Sequence, residues 1–190
     1  LVRDYVHSKP TLDHDPAHLE PAPYYPSDPA SKVRSWDRAK FVRAGEELIA
    51  GGKVAAFTVA GGQGSRLGYE GPKGKYPGGA VTGKPLFQML AEWVVGAERR
   101  YGVTIPWYVM TSPINHEETV AYFEAHDYFG HRSDDMMFFP QGIMPSLDLR
   151  SGALLLADKA TIAANPDGHG GSLRALFTSG ALSLTAFFTS

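Results

Sequence analysis

The sequence predicts an α/β fold built on a mostly parallel sheet, and three observations predict it. Short apolar runs rich in β-branched and aromatic residues, at 54–60, 105–110 and 136–140, have the length and composition of strands. Stretches with helical spacing of apolar residues separate them, and a strand–helix–strand order favours parallel pairing through a right-handed crossover. A glycine-rich stretch follows the first run at its carboxyl end, the place where ligands of open α/β sheets collect.

Taken in order, the chain opens with prolines at 10, 16, 21, 23, 26 and 29, which forbid a long helix and favour extended, polyproline-like backbone. His14 and His18 stand four apart beside Asp13 and Asp15, but Pro16 opposes the helix that would align them on a metal, so a solvated segment is expected. Ser35 is placed to N-cap a helix from Trp36 to about Ala50, with Asp37 in its first turn and Gly51-Gly52 ending it. Val54 to Ala60 then has the character of a buried strand. Pro85 suits the first turn of a helix to about Tyr101, closed by Gly102. Leu86, Leu90, Val94, Ala97 and Tyr101 are expected to face the sheet, with Trp93 beside them in the core.

Ile105 to Met110 is the next strand, and Thr111-Ser112 lie at its carboxyl end. Asn115 with Glu118 has the spacing of a capping box that opens a helix to about Asp127. That makes Glu117 and Glu118 partners of the helix dipole rather than an acid/base pair. Asp134-Asp135, ahead of the strand Met136 to Pro140, fit a solvated turn better than a cation site. Leu147 to Ala157, turning at Arg150-Ser151-Gly152, has the pattern of a β-hairpin. A second glycine loop, Asn165 to Gly171, leads into a helix expected over Ser172 to Leu182.

Composition sets the outer bounds. With 190 residues and 43% hydrophobic content the chain can bury one sizeable core. Two parts are expected: an extended segment with a supporting helix over 1–50, and the α/β domain over 51–190. A net charge of −2 with no dense Lys/Arg run gives no support for a nucleic-acid partner. Absence of cysteine excludes disulfides, Cys-ligated zinc and a thiol nucleophile, and is compatible with the cytoplasm, the expected location. No apolar stretch approaches the ~18 residues of a membrane span, and no membrane partner is expected. No apolar signal-peptide region is visible in residues 1–30, although the chain begins at Leu1 rather than Met and is expected to be a piece of a longer protein.

The chemistry concentrates in Lys53 to Lys75. Gly61-Gly62-Gln63-Gly64-Ser65-Arg66-Leu67-Gly68 lets backbone N–H groups approach a ligand closely, and Arg66 and Lys73 add cations just downstream. Neither common phosphate motif fits. The dinucleotide fingerprint needs glycine where Leu67 stands, and a P-loop ending at Gly74-Lys75 needs glycine at Tyr69 and Ser or Thr at Tyr76. From these residues alone a nucleotide-phosphate site and a plain strand-to-helix turn are both open. Gln141, at the end of the third strand, carries an amide acceptor and donor, which from the residue alone fits a glutamine that satisfies a loop backbone.

The motifs together resemble one family. AGGQGSRLG followed by Pro72-Lys73-Gly74, then IPWYVMTS at 105–112, FFPQGIMPSLD at 139–148 and NPDGHGGSLRAL at 165–176, resemble in content and order the UDP-sugar pyrophosphorylases. These are the UTP:sugar-1-phosphate uridylyltransferases, which include UDP-N-acetylglucosamine and UDP-glucose pyrophosphorylases. Glu20-Pro21-Ala22-Pro23 resembles an element ahead of their domain, and the likeness covers roughly residues 20 to 178.

The resemblance implies a Rossmann-like, nucleotide-diphospho-sugar transferase type of sheet with helices on both faces, incomplete at its C-terminus, so that 51–190 is a partial nucleotide-binding catalytic domain. It implies transfer of UMP from UTP to N-acetylglucosamine 1-phosphate or glucose 1-phosphate, giving a UDP-sugar and pyrophosphate, with Mg²⁺ as cofactor. Carried over by position, the backbone of Val59, Ala60, Gly61 and Gly62 holds the nucleotide. Arg66 and Lys73 are the catalytic cations on its phosphates, Gln141 and Gly168 read uracil, and His169 contacts the sugar.

Two departures qualify the resemblance. Gly168-His169-Gly170-Gly171 lies between the G-N-G-G of N-acetylglucosamine enzymes and the G-H-G-D of glucose enzymes. The family's metal-binding aspartate, on a later V-D-N strand, has no counterpart before Ser190, although Leu184 to Phe188 resembles the start of such a strand. The expectation for this chain alone is therefore weak UTP binding with little or no turnover. The alternatives are a sugar nucleotidyltransferase for another NTP and a non-catalytic nucleotide-binding module.

Overall fold

The structure of the protein, a computed structural model, describes residues 20–181. His14, His18 and the Leu184–Phe188 run lie outside them. The chain divides into two units, one formed by residues up to 45 together with 145–164, the other by 46–144 together with 165 onward.

The larger unit is built on a three-stranded sheet, β1 (Ala56–Val59), β2 (Trp107–Thr111) and β3 (Met136–Pro140), in the order β1-β2-β3. All neighbours are parallel, with Ala56 opposite Trp107, Val59 opposite Met110 and Thr111 opposite Pro140. Successive side chains of a strand point to opposite faces, and β2 is buried at every position. Trp107 and Val109 therefore pack into one cluster with Phe87, Ala91 and Phe123, from α2 (Leu86–Tyr101) and α3 (His116–Ala125). Tyr108 and Met110 pack into a second with Phe139, Ala175 and Ala181, of which Ala175 comes from α4 (Gly171–Thr178). The α/β class and the helices on both faces are as the sequence implies.

Several expectations shift on contact with the fold. β1 is not a buried strand: among the described residues it pairs with β2 alone, and Phe57 and Val59 are exposed while Ala56 and Thr58 are half-buried. The buried central strand is β2. On α2 the buried stripe is Phe87, Ala91 and Val95, with Leu90 and Val94 at its flank, one residue round from the expected line. Trp93 is 69% exposed, not core. Six residues separate it from Phe87, which at 100° per residue puts it roughly 120° away from that stripe. The two ends of α2 follow the sequence, with Pro85 in extended backbone and Gly102 left-handed at φ 66.

α1 (Arg38–Ala50) is capped by Asp37 rather than Ser35, because the Asp37 carboxylate accepts the Lys40 N–H at 2.9 Å. α3 has Asn115 at its N-cap position, yet no side-chain cap bond forms, so the expected capping box is absent. α4 ends at Thr178, short of Leu182. The short strands β4 (Ile143–Pro145) and β5 (Ala164–Pro166) pair with each other, an element the sequence patterns did not suggest.

In the smaller unit Tyr25, Trp36 and Phe41 form a cluster of edge-on rings, and the Trp36 indole donates to Pro26 O at 2.8 Å. The expected hairpin is reduced to isolated bridges, Leu147 with Leu154 and Leu156 with Ile162. Asp148 Oδ1 closes its turn by accepting from the Arg150 and Ser151 N–H groups.

The observed register of α2 fixes two outcomes. Phe87→Ala should lower the unfolding free energy by about 3–5 kcal/mol, and Trp93→Ala should change it by less than about 0.5 kcal/mol. Urea denaturation of the two variants measures both.

Candidate functional site

The carboxyl ends of the three parallel strands carry the site. Beyond β1 the Ala60 N–H donates to Met110 O at 2.6 Å, and beyond β3 the Gln141 N–H donates to Thr111 O at 2.8 Å. Both segments thus hang from the last two residues of β2. The Gln141 side chain, buried in this arrangement, lies against Gly61: a Cβ at 61 would stand 2.6 Å from its Nε2. A larger residue at 61 would displace that amide, a more specific reason for glycine there than loop freedom.

The glycine loop then pairs with the segment that carries the lysine. Gln63 and Pro72 form an antiparallel bridge, Gly64 N–H donates to Gly71 O at 2.9 Å, and Lys73 N–H donates to Gly62 O at 3.0 Å. The Lys73 ammonium comes to rest over Gly62, with Nζ 3.8 Å from the position of a Cβ there. Lys73 opens a 3₁₀ turn through Lys75. The Phe87 ring lies so close to Gly74 in this turn that a Cβ there would fall 2.1 Å from it. Lys73 is therefore held from below by the helix that carries Phe87.

The second glycine loop reaches the same place. Asp167 N–H donates to Gly142 O at 3.1 Å. Its carboxylate sits where Cβ atoms on Gly142 and Gly171 would stand, within 2.3 and 2.2 Å. Asp167 Oδ1 is buried with no hydrogen-bond partner among the described residues. Gly168 is left-handed at φ 71, which turns the backbone before His169.

A cavity of about 310 Å³ results, lined by Val59, Gly61, Gly62, Lys73, Gln141, Pro166, Gly168 and His169. That volume is at the lower end of small-molecule sites. Ala60 lines an adjoining recess of about 150 Å³ over Phe87 and Leu90. Among the described residues neither Lys73 nor Arg66 has a carboxylate partner. The cavity lining holds one cation and no anion, which suits an anionic ligand. Arg66 is not part of that lining; it stands exposed in a 3₁₀ turn, Ser65–Leu67. No group of three or more His, Asp or Glu side chains among the described residues could hold a metal ion.

Sequence patterns missed the residues that support this cavity from behind. Asn115, wholly buried, accepts from the Ser112 N–H and Oγ–H at 2.8 and 2.9 Å and donates to Ala60 O at 3.0 Å. Glu118 accepts from Lys75 Nζ at 2.6 Å instead of serving the dipole alone. Both pairs span more than forty residues, so no local spacing signals them. The Glu118 carboxylate beside it raises the Lys75 pKa above its ordinary 10.5. A raised folded-state pKa contributes stability that is fully present below 10.5 and is lost as pH rises through the higher folded value. Urea denaturation across that range should show this loss in the unmodified chain and its absence in Glu118→Gln.

Comparison with known proteins gives a single direction. The family model described as UTP–glucose-1-phosphate uridylyltransferase matches residues 27–186, which carries the likeness past Thr178. The UDP-N-acetylglucosamine pyrophosphorylase of Saccharomyces cerevisiae is 41% identical over 140 residues, covering 72% of this chain and 29% of that protein. The UDP-N-acetylhexosamine pyrophosphorylase-like protein 1 of Xenopus tropicalis is 43% identical over 151 residues, covering 76% and 28%. The crystal structure of the uridine diphosphate N-acetylglucosamine pyrophosphorylase of Trypanosoma brucei with an inhibitor superposes with a TM-score of 0.65 at 33% identity, covering 73% of this chain and 29% of that one. The chain thus spans less than a third of the length of these relatives.

Proposed function

The chain belongs to the UTP–glucose-1-phosphate uridylyltransferase family, and on that premise we propose that it is the nucleotide-binding part of an enzyme that transfers UMP from UTP to a sugar 1-phosphate. The observation that carries the reading is the convergence of Val59, Gly61, Gly62, Lys73, Gln141, Gly168 and His169 on one cavity from three separate stretches of sequence.

In this reading Gln141 meets uracil, its amide oxygen accepting from N3–H and its amide N–H donating to O4, while Gly168 leaves room at the base. The backbone from Val59 through Ala60 and Gly61 to Gly62 holds the nucleotide, and Lys73 lies over the phosphates. A phosphate oxygen of the sugar 1-phosphate attacks the α-phosphorus of UTP. The new P–O bond forms as the bond to the bridging oxygen of the β-phosphate breaks, and pyrophosphate leaves. Such a transfer needs in-line positioning and charge neutralisation more than a covalent nucleophile. Lys73 supplies one cation. Arg66 supplies a second from its exposed turn, and His169 faces the sugar.

The relatives named for N-acetylglucosamine and N-acetylhexosamine support an N-acetylhexosamine 1-phosphate as acceptor. Mg²⁺ belongs to the proposal as an ion brought by the phosphates of the nucleotide. The cavity lining offers it no carboxylate. Residues 51–190 would carry the nucleotide-binding part. A cytoplasmic location completes the proposal; among the described residues no helix is long and apolar enough to cross a membrane.

Calorimetric titration with UTP and with ATP, each with Mg²⁺, tests the reading. UTP should bind and ATP should not, and equal binding of both would remove the uracil role of Gln141. Lys73→Ala should weaken UTP by about tenfold or more, the effect of losing one charge-assisted contact, with an unchanged melting temperature. Gly61→Ala should abolish binding, because its methyl group takes the place of the Gln141 amide.

A further inference from the structure

We propose that the first turn of α3 is a clamp that sets the ligand-facing geometry of both phosphate-loop segments, with Asn115 and Glu118 as its positioning residues. The inference rests on the nucleotide reading of the cavity and adds to it two residues that do not line that cavity.

Asn115 is the stronger grip. Its Oδ1 takes two hydrogen bonds from Ser112, and its Nδ2 donates to Ala60 O at 3.0 Å and to Gly62 O at 3.5 Å. Every donor and acceptor of the amide is used. The orientation of the amide follows from its partners, since an N–H must meet the oxygen and carbonyls must meet the NH₂. In a trans peptide the N–H points opposite the carbonyl. Holding the carbonyls of Ala60 and Gly62 toward α3 therefore turns the N–H groups of Gly61 and Gln63 away from it. Those two N–H groups, with that of Gly62 between them, have no partner among the described residues. The Gly61 and Gln63 N–H groups thus face the side of the loop away from α3, and Lys73 Nζ lies 3.8 Å from the position of a Cβ on Gly62 between them.

Glu118 grips the second segment one helical turn later. It holds Lys75 at 2.6 Å, and its carboxylate packs on Gly71, where a Cβ would stand 2.9 Å from Oε1. Lys75 also lies 5.2 Å from the centre of the Tyr122 ring on the same helix. Gly71 and Lys75 bracket Lys73 in sequence, so this contact fixes the turn from which the Lys73 side chain rises. Gly62 O joins the two grips, accepting from Asn115 Nδ2 and from the Lys73 N–H together.

The electrostatic consequence is a division of labour between two lysines. Glu118 neutralises Lys75 outside the cavity and leaves the Lys73 charge uncompensated inside it. A helix start that would ordinarily spend Asn and Glu on its own N–H groups spends both on the neighbouring loops instead.

The test uses the whole 190-residue chain, with amide spectra in the absence of ligand and titrations with UTP and with uridine. Asn115→Asp keeps the shape but sets a carboxylate oxygen against two carbonyls. It should move the Gly61, Gly62 and Gln63 amide resonances and weaken both ligands by tenfold or more. Glu118→Gln lies on the surface and keeps the fold intact. It should weaken UTP severalfold and leave uridine unchanged, a split that a purely structural contact would not produce. UTP binding of unchanged strength in both variants, with unmoved glycine amides, would overturn the clamp and leave the nucleotide reading standing. Equal loss of UTP and uridine in Glu118→Gln would overturn the role assigned to that residue. Failure of the unmodified chain to bind UTP would overturn both.

Discussion

Burial of β2 on both faces is the constraint from which the site follows. Trp107 and Val109 on one face and Tyr108 and Met110 on the other are enclosed by helices of separate clusters. A one-residue slip would exchange the two sets and leave neither cluster filled. The last residues of the strand are consequently enclosed by packing. The Met110 and Thr111 carbonyls, at 2.6 and 2.8 Å from the Ala60 and Gln141 amides, transmit that position to the two loops. Precision at the cavity originates in packing one layer below it.

The glycines near the cavity serve two distinct physical ends. Gly168 is left-handed, a conformation that side chains resist. Gly61, Gly74, Gly142 and Gly171 instead make room for a specific neighbour: the Gln141 amide, the Phe87 ring and, for the last two, the Asp167 carboxylate. Each of these neighbours is thereby held by backbone, which cannot retreat as a flexible side chain can.

Charge is arranged with the same economy. Lys75 is paired with Glu118, Lys84 with Glu92 and Arg100 with Glu46, whereas Lys73 meets no carboxylate among the described residues. Exposed pairs contribute little to stability, so the pairing matters chiefly for where positive charge remains available. It remains over Gly62, and the N–H groups of Gly61 and Gln63 on either side have no partner among the described residues. An anion entering there exchanges its water for donors already in place, which is the condition under which fixed dipoles act most strongly.

Much of this was legible in the chain. The strand–helix–strand order, β3 over Met136–Pro140 and the Pro85 and Gly102 ends of α2 follow from local composition, whereas a common role for Val59, Gly61, Gly62, Lys73, Gln141, Gly168 and His169 was implied by the resemblance of the motifs to one family. Each depends on backbone preferences or on residues whose spacing carries the signal. Other features depended on partners far away in sequence. Among the described residues β1 pairs with β2 alone, which leaves Phe57 and Val59 exposed; Trp93 faced outward because the core touches α2 along Phe87, Ala91 and Val95, and Arg66 stood clear of the cavity. Asn115 and Glu118 show the limit most plainly. Locally they compose a capping box worth one or two hydrogen bonds, and the fold offers each a better partner more than forty residues away. Sequence by itself determined which elements form and which chemistry they bring. Only the tertiary structure decided which hydrogen-bonding groups are spent on their own helix and which on a neighbouring loop, because that choice compares a local bond with a distant one that exists only once the sheet has closed.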